Sequence, residues 1–350
     1  MKPNFVSKTI LSTYILSCST TTSSSIINNY RYPNMPILRT IDRILPKTTP
    51  HWVGDGFYVY PVFSDSAFTK TVSPLLMFDY AAPKEFRPSS SRGLKGVGQH
   101  PHRGFETVTV AFQGEVEHHD NHGGHGIIQP GDVQWMTAGK GVVHQEYHSK
   151  KFTASGGTFE MAQLWVNLPK KHKMTKPRYQ EILNAKIPVV DLDNDENDDG
   201  ATNGATARLI AGKLPTLDDD EEAYVAKGPA KTYSPINLWD VSLPNKGSTV
   251  KVPYPVDHAC MVFVRRGSVA IGGRKLGPQQ VAILDNSEDT TTYSSAQSSV
   301  IELDVLKNNS AVLIMGGETI DEPIANMGPF VMNTDAELRQ AVTDYRMGKF

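Results

Sequence analysis

Cysteine is almost missing from this 350-residue chain, which has only Cys18 and Cys260. Two thiols make neither a disulfide framework nor a thiolate metal site, so any transition metal must be held by nitrogen and oxygen ligands. An excess of charge of either sign is also missing. Thirty-five Lys and Arg stand against 37 Asp and Glu, a net charge of −2 with pI near 6.6. Direct nucleic-acid binding, which depends on basic residues neutralising phosphates, is therefore not expected. No run approaches the ~20 consecutive apolar residues of a membrane-spanning helix, so no membrane partner is expected either.

Acidic residues are lacking before Asp42, while Ser and Thr cluster in STTTSSS and Lys2, Lys8, Arg31 and Arg39 are basic. Residues 1–36 thus read as an unstructured leader or a targeting segment, with the profile of an organelle transit peptide. Histidine, finally, is scarce in the second half, where His258 alone follows the Lys-rich connection KKHKMTKPRY.

The length allows about two domains. From His51 onward, short aromatic and β-branched runs alternate with turn residues: GFYVYPVF, PLLMFDY, FETVTVAF, VQWM, VVHQEYH and FEMAQLWVNLP. After Pro169 the same texture returns in ARLIAG, INLWDVSL, STVKVP, CMVFVRR, SVAIGG, QVAIL, VIELDVL and AVLIMG. Strands at such intervals predict an all-β protein of sandwich or barrel type. The boundaries expected are 37–169 for a first barrel and 170–350 for a second. One helix is predicted near 335–347, opened by a Thr334–Glu337 capping box, carried by Leu338, Val342 and Tyr345, and stopped at Gly348. The acidic run 191–205 reads as a solvated loop without the spacing of a calcium loop.

Eight of the eleven histidines fall between Gly98 and Ser149. His100 and His102 are two apart, as are His144 and Glu146, and residues two apart on a strand share a face. Two facing strands would offer three imidazoles and a carboxylate to one ion, a set suited to Fe(II), Mn, Ni, Cu or Zn. Glu106 is a rival fourth ligand, since His-x-His followed by Glu is the first metal motif of the cupin superfamily; it could equally orient an imidazole. By parity Glu106, Val108, Val110 and Phe112 are expected to line the same interior as the two histidines. The group His118, His119, His122 and His125 is a further rival, read as a polar hairpin loop because its members have no fixed common face.

The stretches GQHPHRGFETVT, GEVEHHD, PGDVQWMTAGKGVVHQE, FEMAQLWVNLP and PFVMN together resemble the pirin family, a branch of the bicupins, from about Arg39 to the C-terminus. The resemblance implies two stacked jelly-roll-type cupin barrels with a short C-terminal helix. It also implies one divalent metal, foremost Fe(II), in the first barrel, with the family's ligands falling on His100, His102, His144 and Glu146. Two roles follow from it. One is quercetin 2,3-dioxygenase-type cleavage of a flavonol with O₂, in which Glu146 also serves as the catalytic base. The other is an iron-dependent, redox-sensitive transcriptional co-regulator acting through protein–protein contact. The family points to a cytoplasmic or nuclear location, the leader to an organelle.

Overall fold

Runs such as FYVYPVF, FETVTVAFQ and VIELDV are rich in branched and aromatic side chains, which lower helix propensity slightly and fit a pleated surface, and as strands they pair into sheets. The computed structural model describes residues 37–64, 71–89, 95–192, 203–216, 224–285 and 299–350. The expected leader 1–36 and residues 193–202 of the acidic run lie outside the described residues.

Strands dominate. A seven-stranded sheet runs in the order Arg178–Ile182, Val133–Thr137, Phe105–Gln113, Gly157–Asn167, Leu75–Phe86, Phe57–Phe63 and His51–Val53. Against it lies a four-stranded sheet in the order Gly96–His102, Val142–His148, Val116–Asp120 and His125–Ile128. Together they form the first cupin barrel. The second barrel has a seven-stranded sheet from Val189–Asp191 through Thr206–Ala211, Ile236–Leu243, Ser310–Glu318, His258–Arg266 and Val281–Leu284 to Ile41–Leu45. A smaller sheet built on Ser299–Val305 closes it. The all-β, two-barrel architecture expected from the sequence is what the chain adopts.

Strand pairing crosses the chain division expected at 169/170 in both directions. Ile41–Leu45 pairs with Val281–Leu284 in the second barrel, and Arg178–Ile182 pairs with Val133–Thr137 in the first. The C-terminal segment also returns to the first barrel, where Phe330 bridges to Arg103.

The two large sheets pack face to face. Phe78, Val108, Val110, Trp135 and Leu164 from the first meet Leu238, Met261, Phe263, Leu313 and Met315 from the second in one apolar core. At its margin Arg265 is paired with Glu160 at 2.7 Å and Asp240 at 3.3 Å, while the Tyr80 hydroxyl donates to Glu160. Partners on both sides offset the desolvation of that buried guanidinium.

This packing corrects the parity reading of FETVTVAF. Val108 and Val110 face the second barrel, and Phe105, Thr107, Thr109 and Ala111 line the interior of the first. Parity does not carry through the turn, because Gly104, at φ +88°, passes the chain from the small sheet to the large one. The second barrel's interior is filled by Trp239, Val241, Tyr254, Val262, Val264 and Ile314. The only polar atoms of these side chains are satisfied by backbone carbonyls: Trp239 donates to Ala211 and Tyr254 to Ala259.

Helix α2, Asp335–Arg346, carries the expected capping box: Thr334 Oγ1 accepts from the Glu337 amide and the Glu337 carboxylate accepts from the Thr334 amide. Leu338 and Ala341 face inward, against Phe330 and Met332. A second helix, α1 at Lys150–Ser155, has no counterpart among the sequence expectations.

Candidate metal centre

The strand Gly96–His102 lies antiparallel to Val142–His148, with His100 opposite His144 and His102 opposite Val142. This register brings three imidazoles together. Ring centroids of His100, His102 and His144 are 4.4 to 4.9 Å apart, and one ligand atom from each lies within 4.8 Å of the others. His102 and His144 are buried, and His100 is half-buried at the rim.

Burial, and then the neighbouring imidazoles, hold His102 and His144 well below the usual imidazole range, so both rings are neutral at pH 7. Neutral imidazole is the ligating form. His102 Nδ1 and both nitrogens of His144 are buried without a hydrogen-bond partner. Such orphaned nitrogens are costly unless something accepts their lone pairs, and a divalent cation fits that need. His100 Nδ1 lies 2.8 Å from the Gly98 carbonyl. Donating there sets the tautomer and leaves Nε2 for an ion.

Glu146 follows two residues after His144, but the register slips between them so that Glu146 faces Val97. The extra residue at Gly98–Gln99 is a bulge, a device that re-aims side chains next to sites. Glu146 is buried, outside the group of three mutually close imidazoles, and its neighbours are polar. Gln163 Nε2 donates to its two oxygens at 3.2 and 3.1 Å, Thr109 Oγ1 lies at 3.5 Å, and His118 is its cross-strand partner.

Glu106 is elsewhere. It shares the face of Val108, toward the second barrel, and accepts from Thr137 Oγ1 at 2.6 Å. Burial pushes its carboxyl up to about 7. The first rival for the fourth ligand is thus on the far side of the sheet from the interior.

The second rival separates as well. His118 and His119 sit on the strand Val116–Asp120 rather than in a loop, and their side chains point to opposite faces. His118 stacks on Tyr179 inside, with burial lowering it to about 4, while His119 pairs with Glu117. His122 is exposed in the turn. His148, two residues after Glu146, lies among Phe57, Phe86, Phe152 and Phe159, with its own pKa pressed down to about 4 by burial.

Several residues around the site escaped sequence reading. Gln163 and Asp79 are opposite each other in register, and Gln163 is opposite Thr109, which makes a polar row across the inner face. Burial pushes Asp79 up to about 7. The signal for Gln163 was a lone polar residue in the alternation Met161–Gln163–Trp165. The His102–Gly104 turn is clamped from far along the chain. Lys173 Nζ, fully buried, donates to the Gly104 and Val331 carbonyls and to Asn167 Oδ1, and burial lowers it to about 7. Arg103 pairs with Asp344 at 2.9 Å and lies over the Phe350 ring.

Residues 56–166 match the family model described as Pirin, and residues 238–350 the one described as Pirin C-terminal cupin domain. A protein of Pseudomonas aeruginosa named "Putative quercetin 2,3-dioxygenase" is 45% identical over 86% of this chain and 94% of its own length. Human Pirin is 34% identical, over 80% of this chain and 83% of its own. Among solved structures, that of quercetin 2,3-dioxygenase from Acinetobacter baumannii superposes with a TM-score of 0.77 at 43% identity, covering 89% of this chain and 98% of that one. By these matches, across both barrels, the chain belongs to the pirin family.

Proposed function

We propose that the chain is a metal-dependent dioxygenase of the quercetin 2,3-dioxygenase type, which cleaves a flavonol with O₂ and releases carbon monoxide. The observation that carries this reading is the convergence of three imidazoles, two of them buried with orphaned nitrogens, with the buried Glu146 two residues after His144 on the same strand. The names of its relatives point the same way. His100, His102, His144 and Glu146 would hold one divalent metal, Fe(II) in this proposal. A metal bound there supplies Lewis acidity toward the flavonol 3-hydroxyl and open positions for small ligands.

The chain's own residues supply the rest. Glu146 takes the hydroxyl proton, and the amide of Gln163 orients its carboxylate for that task. The edge contacts of Phe105 and Trp165 on His102, at 5.1 and 5.4 Å, hold that ring and keep water from its inner side. Asp79, with a proton affinity near neutrality, stands in the polar row beside Gln163 and can hold a proton at physiological pH.

The test is oxygen consumption by the metal-loaded protein across a flavonoid panel, with metal content measured on the same sample. Uptake that scales with bound metal and requires the 3-hydroxyl is expected. No uptake with any flavonol would remove the enzyme reading and leave the co-regulator.

A further inference from the structure

The metal site does not account for a cleft of about 790 Å³ on the second barrel, bordered by Gly212–Lys213, the segment 227–237, Pro255 and His258. Its volume falls within the roughly 300–1,000 Å³ of small-molecule sites. Among the described residues its walls carry Lys213, Lys227 and Lys231 and no carboxylate. Lys213 and Lys227 are opposite each other in register on the ribbon of Lys213–Pro215 and Tyr224–Lys227. Like charges directly opposite are destabilising, and neither lysine has an ion pair with an acid among the described residues. A bound anion would turn that repulsion into attraction.

The remaining walls are ordered and specific. Asn237, 2% exposed, contacts His258 Nδ1 at 2.8 Å through its amide nitrogen. With the amide donating, the proton of the imidazole is on Nε2. Tyr233 is held by Arg178, which lies over its ring 4.7 Å from the centre, and by His172 at 4.8 Å. Pro229, Ala230 and Pro235 supply apolar surface. Asp257 is nearby, with Oδ1 4.0 Å from His258 Nε2, but does not line the cleft.

We propose that this cleft binds an aromatic carboxylate, its anionic group between Lys213 and Lys227 with His258 as hydrogen-bond donor, its ring against Tyr233 and the prolines. The site is independent of the flavonol reading, since it uses no residue of the first barrel's interior.

The probe is 2-naphthoate, titrated by calorimetry and by the NMR signals of His258, with 2-naphthamide and inorganic phosphate alongside. Saturable binding of one naphthoate per chain is expected, at least tenfold weaker for the neutral amide and for Lys213→Met/Lys227→Met, and unchanged in His144→Ala. Both lysines are exposed and repel each other, so the double variant should have a Tm no lower than the wild type's. Stronger binding of phosphate than of naphthoate would overturn the aromatic part of the assignment. The site as a whole falls if naphthoate does not saturate at millimolar concentration, if the double lysine variant binds as well as the wild type, or if His144→Ala abolishes binding.

Discussion

Replacing Glu106 by Gln should stabilise the protein at alkaline pH and leave it almost unchanged at pH 5. Glu106 is 1% exposed, faces the core between the barrels, and has its carboxyl pushed from 4.5 to about 7, chiefly by burial. The Thr137 hydroxyl offsets part of that shift. Because the folded-state pKa is raised, the folded chain binds this proton more tightly than the unfolded chain does. Between pH 4.5 and 7 the unfolded state therefore holds fewer protons, and stability falls as pH rises through that window. A shift of about 2.5 units at ~1.4 kcal/mol each gives an upper figure of about 3.5 kcal/mol, lost in full above pH 7. Gln keeps an acceptor for Thr137 Oγ1 and cannot ionise, so the variant escapes the loss. Urea unfolding of both proteins at pH 5 and pH 8 measures it. The difference between them should be small at pH 5 and favour Gln by 1 to about 3 kcal/mol at pH 8, while other titrating groups such as Asp79 cancel. A gap that does not change with pH, or a Gln variant weaker at pH 8, would refute the reasoning, since it would mean that the carboxylate is ionised and paired, Arg178 being a cation that acts on it. Metal content should equal the wild type's, because Glu106 is turned from the imidazoles.

Glu146→Gln should retain a good part of the metal and lose ~10²-fold or more in turnover, the usual scale for a general base; near-normal turnover would take that role from Glu146. Elemental analysis should find one transition metal per chain, absent from a His100→Ala/His144→Ala double variant; a value near two, or metal retained by that variant, would count against a single site. A chain beginning at Met35 should melt within a few degrees of the full-length one. Removal through Leu45 should cost far more, because Ile41–Leu45 is a strand of the second barrel's large sheet and Arg39 donates to the Ser299 side chain and to the carbonyls of Pro255 and Val256. Comparable Tm values for the two truncations would show that this strand adds little.

The period-two spacing of His100 with His102 and of His144 with Glu146 is a local property, and strand geometry alone puts each pair on one face. The capping box at Thr334 and Glu337 is likewise local, and α2 begins where those two residues require. The concentration of histidine in the first half could also be read directly, since His258 alone follows the Lys-rich connection. Which face of FETVTVAF meets the imidazoles could not, because both faces of that strand are buried, one against the barrel interior and the other against a second sheet contributed by residues far along the chain. Alternation reports that two faces differ; it does not report which partner each will meet. Glu106 and Glu146 were therefore separated in the sequence by family resemblance, and in the molecule by the turn at Gly104. The bulge at Gly98–Gln99, Gln163 beside Glu146, and the clamp of Lys173, Asp344 and Phe350 on the His102–Gly104 turn depend on register and on contacts between distant residues. No local pattern encodes such contacts; only the closing of the barrels and the return of the C-terminus onto the first of them decides them.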